Sequence, residues 1–196
     1  MSKYVNPFTD IGFKIIFGQP ASKNLLITLL NALLAGEHHI TELTFLDKED
    51  HADNVSDKGI IYDLYCRTAS GEYIIVEMQN RWHSNFLDRT LYYVCRAVSR
   101  QIESPSSKEV PVPEDPMTAR EPLVSYGKQY RLPTIYGIFL MNFKEENLEA
   151  KFRTDTVLSD RDTGKIVNPH LRQIYLQFPY FTKDLSDCHT LYDKLI

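Results

Sequence analysis

Two short runs of β-branched and aromatic residues, separated by three residues, constrain the fold of this 196-residue chain more than any other segment. The runs cover residues 59–68 and 72–79, and the connection between them is Ala-Ser-Gly. A three-residue connection that ends in glycine is typical of a β-hairpin in which the glycine adopts a left-handed backbone conformation. The spacing therefore predicts an antiparallel pair of strands, with Thr68 opposite Glu72.

The register of this hairpin brings three polar side chains onto one face. Counted back from the turn, Asp63 lies opposite Glu77, and opposed residues of an antiparallel pair have Cβ atoms about 4.5–5.5 Å apart. Gln79 lies two positions beyond Glu77 and therefore points to the same side. The opposite face of the same strand holds the apolar side chains of Ile74, Val76 and Met78.

Two carboxylates this close cannot both carry a negative charge at low cost. Either one of them holds a proton at an elevated pKa, or a cation lies between them. Oxygen ligands from two carboxylates, completed by water and phosphate, are typical of Mg²⁺ sites. A metal ion held in this way lowers the pKa of a bound water and neutralises charge in a phosphoryl transition state. Gln79 can orient the attacking water through a hydrogen bond, but it cannot carry a positive charge.

A purely structural role is the alternative for the carboxylate pair. Asp63 and Glu77 would then lie on a solvent-facing side of the sheet, paired with Lys58, Arg67 or Arg81. A shift of the register by one residue would also separate the two acids. Against this interpretation, Glu77 lies within the apolar run YIIVEM, where a lone charge is costly without a partner.

The remaining hydrophobic patterns predict helices and strands around the hairpin. Leucines at 25, 26, 29, 30 and 33 recur at helical spacing, whereas residues 40–46 alternate like a strand. The continuous apolar run over 134–141 is typical of a buried strand. Residues 104–122 hold five prolines and are predicted to form a loop, and beyond residue 144 only a strand over 172–178 is indicated. The order α-β-β-β-α-β predicts an α/β or α+β domain.

The helix predicted over residues 86–102 has an apolar face and a basic face. The side chains expected toward the core are those of Leu87, Leu91, Val94, Cys95, Val98 and Ile102. Arg89, Arg96 and Arg100 are spaced by seven and four residues and therefore share a different face. Arg89, Tyr93 and Arg96 are therefore candidates for contacts with phosphate groups. The alternative is a helix face that is only solvated.

Composition and charge exclude several classes of protein. With 43% hydrophobic residues the chain is not disordered, and its most apolar stretch, residues 25–36, is too short for a membrane span, which needs about 20 residues. Three cysteines without CxxC spacing argue against zinc and disulfide frameworks. With no recognisable signal peptide, we expect a cytoplasmic protein without a membrane partner. The net charge of −4 argues against non-specific coating of nucleic acid, but it is compatible with an acidic metal site.

The residues around the hairpin resemble a known group of nucleases. Asp63, thirteen intervening residues and then Glu77-Met78-Gln79 resemble the PD-(D/E)XK nuclease superfamily, in a variant with glutamine in place of the usual lysine. Further resembling segments are TDIGFKIIFG at 9–18, LLNALL at 29–34, IVEMQ at 75–79, RTLYY at 89–93 and residues 127–137. Over most of residues 7–142 the chain is similar to the recombination-promoting nucleases of the Rpn type, also called PD-(D/E)XK family transposases.

This resemblance implies a fold and an activity. The fold would be α/β with a restriction-endonuclease-like core, in which helices flank a central mixed β-sheet. The activity would be metal-dependent endonucleolytic cleavage of DNA phosphodiester bonds. Asp63 and Glu77 would hold Mg²⁺, or alternatively Mn²⁺, with help from the Met78 carbonyl, and Gln79 would occupy the usual lysine position as the third catalytic residue.

The resembling segment at 9–18 contains two charged residues, Asp10 and Lys14. An acidic residue on the first helix of such nucleases can approach the metal, but we expect Asp10 to cap the helix, as Thr9 also could, and Lys14 to be a surface lysine. Lys58 is the alternative source of the positive charge that Gln79 lacks.

The chain is expected to form one domain. Residues 1–142 are assigned to the nuclease-like core, with the proline-rich stretch at 104–122 as an insertion. Residues 143–196 are assigned to a C-terminal extension of the same domain. Members of the family generally continue past this C-terminus, which is compatible with a truncated or shortened chain. Double-strand cutting needs two sites and is therefore compatible with a homodimer.

Two other functions remain open at this point. A catalytically weak relative would act as a DNA-binding or protein-interaction module and would show no cleavage that depends on Glu77. A retaining glycosidase also needs carboxyl groups about 5–5.5 Å apart, but it would need an aromatic platform for the sugar and no metal. Metal dependence separates the glycosidase from the nuclease, and turnover separates the binding module from it.

Overall fold

The fold is described by a computed structural model over residues 5–50, 59–103, 132–190 and 193–194. Lys58 and the proline-rich stretch at 104–122 lie outside these ranges. Short 3₁₀ turns occur at Pro20–Ser22, Phe178–Tyr180 and Leu185–Asp187. The helices are α1 (Asp10–Phe17), α2 (Lys23–Leu33) and α3 (Phe86–Glu103). The strands are β1 (Leu43–Phe45), β2 (Glu49–Asp50), β3 (Ile60–Ile61), β4 (Leu64–Thr68), β5 (Tyr73–Gln79), β6 (Ile135–Met141), β7 (Arg153–Ser159) and β8 (Ile166–Gln177).

Six of the strands form one mixed sheet in the order β1-β4-β5-β6-β8-β7. β1, β4 and β5 are antiparallel neighbours, β5, β6 and β8 are parallel, and β7 runs antiparallel to β8. Parallel neighbours need a long crossover, and α3 lies in the crossover between β5 and β6. β2 and β3 pair separately as a short ribbon. This arrangement confirms the predicted α/β fold with a central mixed sheet and flanking helices.

The β4–β5 hairpin has the register that its turn predicts. Leu64 lies opposite Val76, as counting back from the turn requires. Gly71, the last residue of the turn, has φ of +103°, in the left-handed region that glycine adopts without strain. A turn of fixed length therefore sets the register at its far end, where Asp63 meets Glu77.

The two faces of the sheet pack against different helices. One apolar cluster joins the sheet to α1 and α2, and β5 contributes Ile74, Val76 and Met78 to it. A second cluster joins the sheet to α3, and β5 contributes Ile75. Glu77 shares the parity of Ile75 along the strand and therefore points to the α3 side. The alternation predicted for this strand is confirmed.

α1 begins at a side-chain cap and is anchored by two phenylalanines. The Gly12 amide donates to Thr9 Oγ1 at 3.0 Å, so the cap is Thr9, and the expectation that Asp10 caps the helix was wrong because Asp10 is its first residue. Phe13 and Phe17, one helical turn apart, are buried against the sheet. A Cβ atom at Gly12 would lie 1.9 Å from the backbone oxygen of Asn6, so glycine lets the preceding loop close tightly against the helix.

The buried face of α3 differs from the predicted one. Val94 is buried as expected, but Leu91 and Cys95 are exposed. Thr90 is buried instead, because its hydroxyl group forms a hydrogen bond with the hydroxyl of Tyr175 at 3.0 Å. A hydrophobic pattern does not identify a polar residue that is buried with a hydrogen-bond partner. The predicted buried face therefore omitted Thr90, and its assignment of Leu91 and Cys95 to the core was wrong.

The C-terminal part of the sheet is longer than the sequence pattern indicated. β8 begins at Ile166 rather than near residue 172, and β7 was not predicted. Most side chains of β7 are exposed or half-buried, so this edge strand lacks the apolar alternation of a strand with one buried face. Because β8 lies beside β6, the sheet continues across the predicted boundary at residue 142.

Candidate active site

The two hairpin acids, Asp63 and Glu77, are interlocked through main-chain amides. The Asp63 amide donates to Glu77 Oε1 at 3.0 Å, and the Met78 amide donates to Asp63 Oδ2 at 2.9 Å. Asp63 is 8% exposed and Glu77 is 3% exposed. The chain leaves regular strand geometry between β3 and β4, so the Asp63 amide points to a side chain rather than to a neighbouring strand. The fold therefore has the two acids together, as the hairpin register predicts.

Burial disfavours the charged form of both acids. It raises the pKa of Glu77 to about 8, and the negative charge of Asp63 adds to the increase. Burial also raises the pKa of Asp63, although the Met78 amide and Lys14 oppose the increase. Two adjacent buried acids with raised pKa values favour a bound proton or cation at this position.

A lysine and a third acid reach this pair from α1. Lys14 Nζ lies 3.0 Å from Asp63 Oδ1 and 2.6 Å from Asp10 Oδ1. Asp63, whose own pKa is raised, and Lys14 both lower the pKa of Asp10. The expectation of an isolated surface lysine was wrong, because Lys14 is half-buried in an ion pair with Asp63.

Gln79 connects Glu77 to α3. Its side-chain nitrogen donates to Glu77 Oε2 at 3.2 Å, and its side-chain oxygen accepts a hydrogen bond from Arg89 Nη2. The guanidinium of Arg89 also lies 5.9 Å from the centre of the Tyr93 ring. Burial raises the pKa of Tyr93, and the charge of Glu77 adds to the increase. Arg89 and Tyr93 therefore lie at the site with the hairpin residues.

Arg96 lies in a different environment. It is two helical turns beyond Arg89, and its Nε donates to Asp50 Oδ2 at 3.2 Å. Arg100 binds the same carboxylate through Nε at 2.8 Å. The structure therefore splits the predicted basic face, with Arg89 bound to Gln79 and the other two arginines bound to Asp50 of β2.

The donor set at the hairpin fits a hard divalent cation. Asp63 and Glu77 offer carboxylate oxygens, and a bound cation would stabilise the charged forms that burial disfavours. Within the described ranges, no three or more His, Cys, Asp or Glu side chains are grouped as a metal site. Main-chain, water and phosphate oxygens would therefore have to complete the coordination, as is usual for Mg²⁺.

The comparisons with known proteins agree with this geometry. A family model described as PD-(D/E)XK nuclease family transposase matches residues 7–195. The chain belongs to this family. Membership supports a nuclease-type function. The match includes β7 and β8 as well as the resembling segments between residues 9 and 137. No curated protein and no solved structure matches the chain significantly. Among the described residues of this PD-(D/E)XK family member, we find no helix with the length and apolar character needed to cross a membrane.

Sequence reasoning missed the contact between Lys14 and Asp63. The available signal was weak: Lys14 follows Asp10 by one helical turn inside a segment that resembles the nuclease family. Pairing α1 with the hairpin is a tertiary contact that no local pattern specifies.

Proposed function

We propose that this protein is a metal-dependent DNA endonuclease that hydrolyses phosphodiester bonds. The observation that supports the proposal most strongly is the buried and interlocked pair of Asp63 and Glu77. Burying two neighbouring acids opposes folding unless a partner neutralises them. A divalent cation together with a phosphate group would use both acids at once.

The residues of the site divide the work between them. Asp63, Glu77 and the Met78 carbonyl oxygen would hold Mg²⁺ or Mn²⁺, whose contribution when bound is to lower the pKa of a water and to neutralise charge on the phosphate. Gln79 is restrained by Glu77 and Arg89, so its amide group is fixed for orienting the attacking water. Such preorganised polar groups lower the barrier because they need not reorganise during the reaction.

The DNA backbone would be held by residues of α3. Arg89 lies within hydrogen-bond range of Gln79 and beside the Tyr93 ring, so its guanidinium is positioned for a phosphate next to the scissile bond. Arg96 is a weaker candidate than the sequence suggests, because Asp50 already binds it. Cleavage of both strands would need two copies of the site, and a homodimer would supply them.

A binding module without turnover is the second candidate. Each carboxylate oxygen of the pair already has a donor within the protein: the Asp63 amide and Gln79 for Glu77, and the Met78 amide and Lys14 for Asp63. A metal ion would have to displace or share some of these donors. Such a protein would bind DNA but would not cleave it.

Plasmid cleavage tests the proposal directly. Supercoiled plasmid is incubated with the wild-type protein, with Glu77→Gln and with a matched control, Glu42→Gln, which removes an exposed carboxylate that pairs with Lys23. Each reaction is run with Mg²⁺ and with EDTA. We expect nicking or linearisation by the wild type and by Glu42→Gln in Mg²⁺ only, and none by Glu77→Gln.

The other outcomes are equally informative. Cleavage that survives EDTA or the loss of Glu77 contradicts the proposed site. A folded wild type that binds the plasmid in Mg²⁺ without cutting it supports the binding module instead. Linear product formed together with nicked product, from a protein that sediments as a dimer, would support two cooperating sites.

A further inference from the structure

Lys14 brings a cation to the carboxylate pair from outside the hairpin. Its Nζ is 3.0 Å from Asp63 Oδ1 and 2.6 Å from Asp10 Oδ1. The Lys14 side chain is 30% exposed, whereas that of Asp63 is 11% exposed. The ammonium group therefore lies at the boundary between the buried acids and solvent, and a phosphate that reaches Asp63 has to come from solvent.

The packing of α1, rather than the ion pair alone, holds Lys14 in this place. Phe13 and Phe17 anchor the helix in the core, and Thr9 caps its first turn. Gly12 allows the preceding loop to close against the helix. Because these contacts do not involve the ammonium group, α1 is expected to stay in place when the charge of Lys14 is removed.

The hairpin carries no positive charge at position 79, and Lys14 can supply one from α1. Gln79 stands where the resembling nucleases usually have a lysine, and a glutamine carries no charge. Gln79 lies between Arg89 and Glu77 and forms a hydrogen bond with each of them, whereas Lys14 contacts Asp63 directly. We propose that Lys14 supplies, from α1, the catalytic positive charge that position 79 lacks, and that this charge acts on the phosphate bound beside Asp63.

The test moves the charge from one position to the other. This inference rests on the proposed function, so rates of plasmid nicking in Mg²⁺ are compared between folded variants. Lys14→Gln should lower the rate about 100-fold, the size expected for losing one group that stabilises transition-state charge. Lys14→Arg should retain most of the rate, and Gln79→Lys should restore about tenfold in the Lys14→Gln background. The matched control is Lys23→Gln, which removes a lysine that pairs with surface Glu42 and should leave the rate unchanged.

Calorimetric titration with Mg²⁺ alone separates this role from a structural one. Removing a positive neighbour should make Lys14→Gln bind Mg²⁺ about fivefold more tightly than the wild type. A merely structural lysine would instead lower Mg²⁺ affinity and melting temperature together. An unchanged nicking rate in Lys14→Gln, or no rescue by Gln79→Lys in a folded double variant, overturns the inference. If the wild type does not cleave at all, the proposed function fails and this inference fails with it, whereas a wild type that cleaves and a Lys14→Gln variant that cleaves equally fast overturn the inference alone.

Trp82, the only tryptophan of the sequence, carries a second inference, which uses a different observation and also rests on the proposed function. Its Nε1 donates to Glu145 Oε2 at 3.1 Å, yet 53% of the residue is exposed. Glu145 is 5% exposed and also accepts hydrogen bonds from the amide and side chain of Asn147, while its own amide donates to Gln177. A buried and fully engaged carboxylate therefore fixes the orientation of an indole ring that stays open to solvent.

The location of Trp82 suggests what the open ring contacts. Trp82 follows Gln79 in the connection after β5, Glu145 follows β6, and a hydrogen bond of 2.9 Å between Asn142 and Asn80 ties the two connections together. Ligands of α/β sheets bind outside the carboxyl ends of parallel strands such as these. Aromatic rings that are held beside a backbone-binding site stack on nucleobases without regard to sequence. We infer that Trp82 is a stacking platform for an unpaired base near the scissile phosphate.

The fluorescence of Trp82 reports on this contact without any cleavage. A single-stranded oligothymidine, titrated in EDTA, should quench the fluorescence of the wild type. Affinity is then measured by anisotropy of a labelled oligothymidine for Trp82→Phe and Trp82→Leu, which both lose the hydrogen bond to Glu145. Trp82→Phe should bind like the wild type, and Trp82→Leu about tenfold more weakly. Saturating oligothymidine without quenching, or equal affinity of the two variants, overturns the inference.

Discussion

Two regions of this protein hold buried acids in opposite charge environments. The Asp50 side chain is 10% exposed and binds two arginines, with Arg96 Nε at 3.2 Å and Arg100 Nη2 at 2.7 Å. At the hairpin, by contrast, Asp63 and Glu77 accept hydrogen bonds from main-chain amides. Two arginines neutralise the acid of β2, whereas the ion pairs of the described residues give the hairpin acids one direct cationic partner, Lys14, at 3.0 Å from Asp63 Oδ1.

The comparison shows that the supply of cations, rather than burial alone, distinguishes a structural acid from a candidate metal ligand. In the hairpin region, Lys14 forms ion pairs with Asp10 and Asp63. Arg89 donates a hydrogen bond to Gln79, which in turn donates one to Glu77. Burial, together with the charge of Asp63, raises the pKa of Glu77 to about 8 although both cations oppose the increase. A divalent cation would restore the balance at this position.

The largest expected effect is on cleavage. Asp63→Asn keeps an oxygen for the Met78 amide but removes the charge needed to hold a metal ion, so we expect the rate of plasmid nicking to fall by about 1,000-fold or more. Asp50→Asn should stay within about threefold of the wild type once the folded fraction is taken into account. Equal losses in the two variants would break the comparison.

The next effect is on the free energy of unfolding, which Asp50→Asn should lower more than Asp63→Asn does. Asp50→Asn removes the charge of a carboxylate that both Arg96 and Arg100 bind, which should lower the free energy of unfolding by about 2–3 kcal/mol. Asp63→Asn should leave the free energy of unfolding of the metal-free protein unchanged or increase it, because a buried charge is lost. Urea denaturation in EDTA measures both, and a more stable Asp50→Asn would contradict the assignment of Asp50 as a structural acid.

A pH dependence should separate the regions further. The pKa of Glu77 is raised from 4.5 to about 8 in the folded protein, so the folded state favours the protonated acid. The associated destabilisation is absent below pH 4.5 and grows as the pH rises to about 8. In EDTA, the wild-type melting temperature should therefore fall over this range. Glu77→Gln should flatten the fall, and the same slope in both proteins would count against a charge-deficient site.

The smallest expected effect compares two arginines of α3. Arg89→Gln should lower the nicking rate about tenfold, because Arg89 restrains Gln79 and faces the proposed phosphate site. Arg96→Gln should change the rate by less than about twofold while lowering the melting temperature, because its carboxylate partner is Asp50. Nicking rates and thermal melting of both variants provide the check. A reversal of this order would return Arg96 to the set of DNA contacts.

The sequence is most informative where the structure is locally determined. The three-residue turn that ends at Gly71 fixes the hairpin register, and the register alone is enough to bring Asp63 opposite Glu77. Apolar alternation in β5 likewise predicts that Ile74 and Val76 face α1 and α2. Both inferences need only strand geometry, and both are confirmed.

Features that depend on distant contacts could not be predicted in this way. Thr90 is buried because Tyr175, which lies 85 positions later, provides a hydroxyl partner. β7 is recognisable only once β8 is in place, since its side chains are largely exposed at the sheet edge. The approach of Lys14 to Asp63 depends on how α1 packs across the sheet. Each of these contacts joins two segments that are distant in the sequence, and the local pattern of one segment does not specify its contact with the other.

Calorimetric titration of Mg²⁺ at pH 8 tests the central claim most directly, because it needs no substrate and no turnover. The wild type and Asp50→Asn should bind Mg²⁺ with the same affinity, and Glu77→Gln should bind at least about tenfold more weakly, because it loses a charged ligand. That pattern would establish the hairpin acids as the metal site. Equal affinity in the wild type and Glu77→Gln, or a loss confined to Asp50→Asn, would contradict the account.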